Sequence, residues 1–187
     1  MLLIGDVHGK HAQYLKLLEG HKESIQLGDM GFGYNHMKKL DKGHRFIKGN
    51  HDNYNIESLN ALGDFGLYKN YFFVRGAFSP DAYLRKEGVD WWRDEELTYS
   101  QMYQAFSLYS QVKPDIMLSH DCPQLVANEQ FDISDHSSTR MGLQFMLECH
   151  KPRLWVFGHH HIHRDFMLGG TRFVCLAELE TLKLKEI

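Results

Sequence analysis

The chain has 187 residues, enough for one globular domain with a sizeable buried core. Hydrophobic residues make up 43% and charged residues 24%, and no long polar or repetitive tract occurs, which argues against a disordered protein. The formal net charge of -3 gives no basic field for capturing nucleic acid by counterion release. We therefore expect a single domain over residues 1–187 without a strong nucleic-acid signal.

The cysteines and the amino terminus indicate the compartment. Cys122, Cys149 and Cys175 are too few and too scattered for a disulfide framework or a C-x-x-C zinc site, so we expect them to stay reduced. The opening residues MLLIGD have no basic region and soon reach the carboxylate of Asp6, which predicts neither a signal peptide nor a membrane span. The sequence predicts a cytoplasmic protein with no membrane partner.

Five short apolar runs alternate with stretches of helical period, and this alternation predicts an α/β fold. The runs cover residues 2–4, 24–27, 44–47, 115–118 and 154–157. Helical period is clearest over residues 100–111 and 138–150; in the second stretch Met141, Phe145 and Met146 are expected to point inward.

The remaining segments predict further strands. Residues 65–92 are typical of strands and a loop. After Arg164 we expect two or three antiparallel strands that close the sheet, with Gly169 and Gly170 as a turn.

Each of the five apolar runs ends in polar residues that can bind a metal ion, and a glycine lies at four of the five ends. The candidates are Asp6 and His8, then Asp29, then Asn50, His51 and Asp52, then His120, then His159 and His161. Each motif alone could be a turn or a helix cap. Five in succession favour a shared site, because loops leaving the carboxyl ends of such strands converge on one edge. Carboxylate, imidazole and amide oxygen suit Mn, Fe, Zn and similar divalent ions.

Glycines flank most of these motifs, at positions 5, 9, 28, 31, 49 and 158. They fit tight strand exits where the backbone must approach the ions. The tract GHHHIH at residues 158–163 lies well inside the chain and is interrupted by Ile162, so it does not resemble a purification tag.

In this order, GDVHG, GDMG, GNHD, SHD and GHHH resemble the motifs of the calcineurin-like metallophosphoesterase superfamily, over residues 5–161. The middle segment GAFSPDAYLRKEGVDWWRDEELT is similar to that of its small bacterial and phage members. The resemblance implies a four-layer αββα sandwich of two mixed sheets flanked by helices. It also implies a di-metal site at the carboxyl ends of the strands.

Carried over residue by residue, the resemblance implies two metal sites with a shared ligand. Asp6, His8 and His161 would bind one ion, Asn50, His120 and His159 the other, and Asp29 would bridge them. Alternate residues of a strand-exit loop can face one cavity, which suits His159 and His161, and a shift to His161 and His163 stays open. The implied cofactors are two divalent ions, Mn foremost, with Fe, Zn or Ni as options.

The implied activity is hydrolysis of a small phosphoester by a metal-bridging hydroxide, as a phosphodiesterase or small-molecule phosphatase. His51 is the candidate general acid, because an imidazolium can donate a proton near neutral pH. Asp52 is expected to orient the His51 ring, or instead to interact with the backbone or a ligand histidine. GDMGFGYN lacks the further Asp and Arg of the phosphoprotein phosphatases, and Asp52 stands where they favour Glu, which disfavours a phosphoserine phosphatase.

Two other functional classes are kept as alternatives. One is a nuclease of the same superfamily, which the short length and the net charge disfavour. The other is a non-catalytic interaction scaffold with this fold, which the full ligand set disfavours. Arg75, Arg140 or Arg164 could clamp a phosphate, and the sequence does not choose among them.

Overall fold

The computed structural model describes residues 1–135 and 137–185, which form ten strands and four α-helices. In chain order they are β1 (Leu2–Ile4), α1 (His11–Leu18), β2 (Ser24–Gln26), β3 (His44–Phe46), β4 (Phe65–Tyr68), β5 (Tyr71–Val74), α2 (Tyr99–Val112), β6 (Ile116–Ser119), α3 (Gln124–Phe131), α4 (Ser138–Cys149), β7 (Leu154–Phe157), β8 (Arg164–Leu168), β9 (Thr171–Cys175) and β10 (Thr181–Lys183). Short 3-10 turns lie at Met37–Lys39, Ala82–Leu84 and Arg93–Glu95.

The strands form two mixed sheets. The smaller sheet has the order β10-β1-β2-β3, in which β1, β2 and β3 are parallel and β10 is antiparallel to β1. The larger has the order β4-β5-β6-β7-β9-β8, with a parallel centre from β5 to β9 and antiparallel edge strands β4 and β8. Helices cover the outer faces, so the expected four-layer αββα sandwich is confirmed.

The apolar runs are continuous because the strands are buried on both faces. In β1, Leu3 packs between the sheets, whereas Leu2 and Ile4 pack towards α1. In β7, Val156 lies between the sheets and Trp155 packs in the cluster that contains residues of α2 and α4. Alternate residues of one strand thus belong to two different cores, as the period of two requires.

Side-chain caps fix where the two longest helices begin. Thr98 and Gln101 form a capping box at the start of α2, and the Ser137 hydroxyl accepts a hydrogen bond from the Arg140 N–H at the start of α4. Such caps satisfy backbone N–H groups that lack an intrahelical partner. The left-handed backbone of Lys113 (φ 48°) ends α2, and β6 begins at Ile116.

The inward face of α4 differs from the expectation. Met146 is buried, but Met141 and Phe145 are 42% and 53% exposed, so their predicted inward orientation is wrong. The buried stripe runs instead through Gly142, Leu143 and Met146, because Gly142 lets α4 approach Met102 of α2 so closely that a Cβ there would overlap it. Met141 and Phe145 border an apolar groove between α2 and α4.

The carboxyl-terminal strands also differ in part. The predicted turn is confirmed, since β8 and β9 pair antiparallel across Gly169 and Gly170, both of which have a positive φ. However, β9 runs parallel to β7, and β10 crosses to the other sheet to pair with β1. In the part of the chain that the structure describes, no helix combines the length and the apolar character needed to cross a bilayer.

Candidate metal centre

The five strand exits meet at one edge of the sandwich and bring together two groups of ligand atoms. Asp6, His8, Asp29 and His161 form the first group, and Asp29, His120 and His159 form the second. In each group the ligand atoms lie within 4.8 Å of one another. Asp29 belongs to both groups, which is the position that the family resemblance implied for a bridging carboxylate.

The first group is built from the exits of β1, β2 and β7. His161 Nε2 lies 3.1 Å from Asp6 Oδ2 and 2.8 Å from His8 Nε2. His8 Nε2 lies 3.7 Å from Asp6 Oδ2 and 3.8 Å from Asp29 Oδ2. Two imidazole nitrogens and two carboxylate oxygens therefore converge on one small volume, as ligands of a common ion do.

The second group centres on His120, which is fully buried at the end of β6. Its Nε2 lies 3.2 Å from Asp29 Oδ1 and 3.1 Å from Asn50 Oδ1. Its Nδ1 lies 2.8 Å from the Leu27 carbonyl oxygen, which can only accept, so Nδ1 carries the proton of that bond. This contact fixes the ring and directs Nε2 towards the site, as in metal-binding histidines generally.

Two buried carboxylate oxygens at the centre lack a hydrogen-bond partner among the described residues, Asp6 Oδ2 and Asp29 Oδ2. His161 Nε2 approaches Asp6 Oδ2 but not in hydrogen-bonding geometry. An unpaired buried carboxylate oxygen is costly, and a cation would satisfy both atoms. The donor set thus fits divalent ions that take oxygen and imidazole ligands.

The charges of the centre are strongly coupled. Burial opposes ionisation of Asp6, but the neighbouring imidazoles of His161, His8 and His120 outweigh it and hold its pKa well below the usual range. Burial lowers the pKa of His120, but Asp29 outweighs this and raises the pKa to about 10. Burial lowers the pKa of His159 to about 3. Without a cation, His120 is therefore protonated while His159 is neutral.

Four of the candidate ligands have a left-handed backbone, which is uncommon for residues other than glycine. The φ angles are 47° at His8, 58° at Asp29, 68° at His159 and 55° at His161. Such conformations cost about 1–3 kcal/mol each and cluster at functional sites. The strand exits therefore hold these side chains in orientations that an unstrained turn would not give.

Three of the predicted glycines are required by the close packing of the centre. A Cβ at Gly28 would overlap the His120 ring, one at Gly49 would overlap Asp29 Oδ1, and one at Gly158 would overlap Asp6 Oδ1. Glycine is thus the one residue type that fits at these three exits.

The four histidines of GHHHIH have separate environments. His159 and His161 join the ligand groups. The His160 ring stacks on Phe131 at 3.8 Å between centroids, and His163 Nδ1 lies 2.7 Å from Glu180 Oε1. Of the two registers left open by the sequence, the structure brings His159 and His161 to the centre.

Asp52 is buried but does not hold the His51 ring, so that expectation is wrong. Its carboxylate accepts hydrogen bonds from the Gly49 N–H at 2.7 Å, the Gly31 N–H at 3.2 Å and the Met30 N–H at 3.3 Å. The Tyr34 hydroxyl adds a fourth at 3.0 Å. Asp52 thus joins the exits of β2 and β3 through hydrogen bonds to backbone N–H groups. Interaction with the backbone was the alternative that the sequence left open for this residue. Burial and the nearby Asp29 raise its pKa to about 7.

His51 lies beside the centre and meets an arginine. Its backbone N–H donates to Asp29 Oδ1 at 2.7 Å, and its ring centroid is 5.3 Å from that of His8. Arg85 Nη1 lies 2.9 Å from His51 Nδ1. Burial lowers the pKa of His51, Asp29 opposes this effect, and Arg85 adds to it.

Arg85 is a candidate functional residue that the sequence did not indicate, because it contacts the His51 ring beside the centre. It is held by a bidentate pair with Asp81, at 2.9 and 2.7 Å. Its sequence signal is the Asp81/Arg85 spacing of four residues, which indicates an ion pair and nothing about the site.

The three arginines named from the sequence lie in other environments. Arg75 pairs with Asp64 at 2.5 Å, Arg140 is buried against Asp121 at 2.7 Å, and Arg164 is exposed at the start of β8. Among the described residues, neither Arg75 nor Arg140 has a hydrogen bond to a member of the two ligand groups or to His51.

Asp121 is a second residue without a sequence-based role. It is fully buried, accepts from the Arg140 Nε–H, and lies 3.9 Å from His159 Nε2 and 3.3 Å from His160 Nε2. At 3.9 Å the Asp121 carboxylate is too far from His159 for a hydrogen bond, so it acts on that imidazole through its charge. Cys122 beside it is also fully buried.

A two-sheet α/β sandwich whose parallel strand exits gather two ligand groups around a shared carboxylate defines a class of metal-dependent hydrolases. The family model for calcineurin-like phosphoesterases matches residues 1–163. The chain therefore belongs to the calcineurin-like phosphoesterase family and is a metallophosphoesterase, a hydrolase of phosphoric esters.

Three solved structures are similar to this chain at low sequence identity, and the first of them shows the same fold. A Thermus thermophilus protein is 14% identical with a TM-score of 0.52, over 95% of this chain and 89% of that chain. Phosphopantetheinyl hydrolase from Mycobacterium tuberculosis is 14% identical with a TM-score of 0.48, over 95% and 89%. A predicted phosphoesterase from Streptococcus pneumoniae is 11% identical with a TM-score of 0.46, over 95% and 72%. Among curated proteins, none matches the chain.

Proposed function

We propose that the chain hydrolyses a small phosphomonoester or phosphodiester with two divalent metal ions, Mn foremost. The observation that carries this proposal is the sharing of Asp29 between two ligand groups, with unpaired buried oxygens on Asp6 and Asp29. Two-metal phosphoesterase sites use such a shared carboxylate to hold ions about 3.5–4 Å apart.

Each of the two ligand groups would hold one of the two ions. Asp6, His8 and His161 would hold one ion, and His120, His159 and Asn50 Oδ1 would hold the other. Asp29 would contact both. When bound, the ions would supply charge stabilisation for the phosphate oxygens and activation of water.

His51 and Arg85 supply the remaining chemistry. His51 is placed beside the centre by its N–H bond to Asp29, and its imidazole would donate a proton to the leaving oxygen of the ester. Arg85 would bind a non-bridging phosphate oxygen, because its guanidinium already lies against the His51 ring and is oriented by Asp81. The guanidinium also disfavours the protonated imidazole, so a bound phosphate would restore the proton on His51.

The charge and the cysteines support a class of substrate and a compartment. The net charge of -3 supports a small phosphoester rather than a long nucleic acid. The three free thiols support a reducing compartment, the cytoplasm.

The test is turnover of the Mn-loaded protein. We expect hydrolysis of bis(p-nitrophenyl) phosphate, of p-nitrophenyl phosphate, or of both, and loss of most turnover in Asp29→Asn and in His51→Gln. His163→Gln is the matched control, because His163 pairs with Glu180 outside both ligand groups. An inert wild type with Mn, Fe, Zn and Ni would overturn the proposal, and turnover of DNA alone would favour a nuclease.

A further inference from the structure

The amide of Asn50 is held from outside the metal centre by two buried residues. Asn50 Nδ2 donates a hydrogen bond to Ser79 Oγ at 3.0 Å. Ser79 Oγ in turn donates to Glu95 Oε2 at 2.6 Å, and the Ser79 N–H donates to Glu95 Oε1 at 2.8 Å. Asn50, Ser79 and Glu95 are 3%, 1% and 3% exposed, so water does not compete for these bonds.

The chain of bonds has a direction that Glu95 sets. An ionised carboxylate only accepts hydrogen bonds, so the Ser79 hydroxyl proton must point at Glu95. The lone pairs of the hydroxyl then face Asn50, whose amide has to present its NH2 group to them. The opposite end of the amide, Oδ1, is thereby turned towards His120 Nε2, 3.1 Å away in the second ligand group.

This direction matters because the two ends of an asparagine amide have nearly the same shape. Sterics alone do not distinguish a metal-facing oxygen from a metal-facing NH2 group, and only the oxygen can bind a cation. A flipped Asn50 would place two N–H donors against the ion.

We call the hydrogen bonds of Ser79 and Glu95 that hold the Asn50 amide the brace. Further contacts join the segments around Asn50 and Glu95 and make the brace rigid. The Tyr54 hydroxyl lies 3.0 Å from the Gly49 carbonyl oxygen and 3.4 Å from that of Glu95. The Gly76 N–H donates to the Lys48 carbonyl oxygen at 2.9 Å, and a Cβ at Gly76 would overlap the Glu95 backbone.

We propose that Ser79 and Glu95 are positioning residues that fix the amide of Asn50 with its oxygen towards the second metal ion. The proposal rests on the proposed function only in requiring that the centre binds metal. It gives a role to the loop between β5 and α2, whose sequence carries no metal-binding motif.

The test uses Glu95→Gln, which keeps the shape of the side chain and reverses the direction of its hydrogen bond with the Ser79 hydroxyl. The glutamine oxygen would accept from the Ser79 N–H, its NH2 group would donate to the hydroxyl, and the hydroxyl proton would point at Asn50. Asn50 would then turn its NH2 group to the metal. We expect about a 10–100-fold loss of affinity for the second Mn ion in calorimetric titration, the range for such supporting contacts. The control, Glu87→Gln, changes an exposed residue of the same loop that pairs with Arg93.

A rescue variant separates direction from stability. In Asn50→Asp alone, a carboxylate would face the lone pairs of Ser79 and weaken the second site. In the double variant Glu95→Gln with Asn50→Asp, the carboxylate accepts the Ser79 proton and still offers an oxygen to the metal. We expect the double variant to bind the second Mn ion more tightly than either single variant. A double variant no better than the singles, or Glu95→Gln equal to Glu87→Gln, would overturn the proposal.

Failure of the proposed function is distinguishable from failure of the brace. If the wild type binds no Mn, the proposed function fails, and the brace is judged in the metal-free protein by hydrogen exchange of the Asn50 side-chain amide. Faster exchange in Glu95→Gln than in Glu87→Gln supports the brace, and equal exchange overturns it.

Discussion

His120 and Asp29 form a buried ion pair at the centre of the strand exits, with Nε2 3.2 Å from Oδ1. Asp29 raises the pKa of His120 to about 10 against the opposing effect of burial. Because the folded pKa is above the unfolded value of about 6.5, the pair stabilises the metal-free protein fully below pH 6.5 and loses this effect as pH rises through 10.

The metal-free protein should therefore become less stable between about pH 6.5 and pH 10. Denaturant unfolding at a series of pH values measures this slope. Asp29→Asn removes the main partner of His120, so its slope should be flatter, and an equal slope in both proteins would contradict the ion pair. Binding of Mn at pH 8 should also release a proton from His120, measurable by calorimetry in buffers of different ionisation enthalpy.

The close approach of Gly49 to the centre gives a steric prediction. Gly49→Ala places a Cβ against Asp29 Oδ1, so we expect at least about a tenfold loss of Mn affinity. Gly33→Ala is the matched control, because a Cβ there meets nothing within 4 Å. Calorimetric titration of both variants with Mn is the measurement. Equal affinities would show that the loop at Gly49 shifts to accommodate the Cβ, which would contradict the prediction.

The register of the histidine tract is open to a direct comparison. His161→Ala removes a nitrogen 3.1 Å from Asp6, so Mn binding at the first group should be lost. His163→Ala removes only the contact with Glu180 and should leave two Mn ions bound. Metal analysis of the two purified variants decides, and the reverse result would move the ligand pair to His161 and His163.

Asp52 is expected to act on stability through the loops that it joins. Asp52→Ala leaves the buried N–H groups of Gly49, Gly31 and Met30 without their acceptor, so the free energy of unfolding should fall by about 2–4 kcal/mol. Asp165→Ala, which breaks only an exposed pair with Arg172, should cost less than about 1 kcal/mol. Chemical denaturation measures the free energy of unfolding of both variants. Equal decreases would refute the role of Asp52 in joining the two loops.

Arg85 should act on substrate binding. With p-nitrophenyl phosphate and Mn, Arg85→Ala should raise KM about tenfold or more. Arg85→Lys should restore little, because lysine cannot form the bidentate pair with Asp81 that orients the side chain. Arg93→Ala is the control, since Arg93 is exposed and pairs with Glu87. An unchanged KM in Arg85→Ala would assign Arg85 to loop structure alone.

The residues that the sequence located and those that it missed differ in how they reach the centre. Asp6, Asp29, His120 and His159 follow apolar strands directly, so local pattern and strand topology place them together. Ser79 and Glu95 reach Asn50 from a loop with no regular period. A contact of that kind depends on how the loop folds back, which no spacing in the sequence encodes.

The helix faces show a further limit. Apolar residues occur on more than one side of α4, so its sequence allows more than one inward face. The approach of Gly142 to Met102 selects the face that leaves Met141 and Phe145 exposed. The family, the α/β class and the positions of the candidate ligands were determined by the sequence itself, because strand, exit and ligand are neighbours along the chain. The partner of Asp52, the arginine beside His51 and the direction of the Asn50 amide were decided only by tertiary structure, because each depends on hydrogen bonds between segments far apart in sequence.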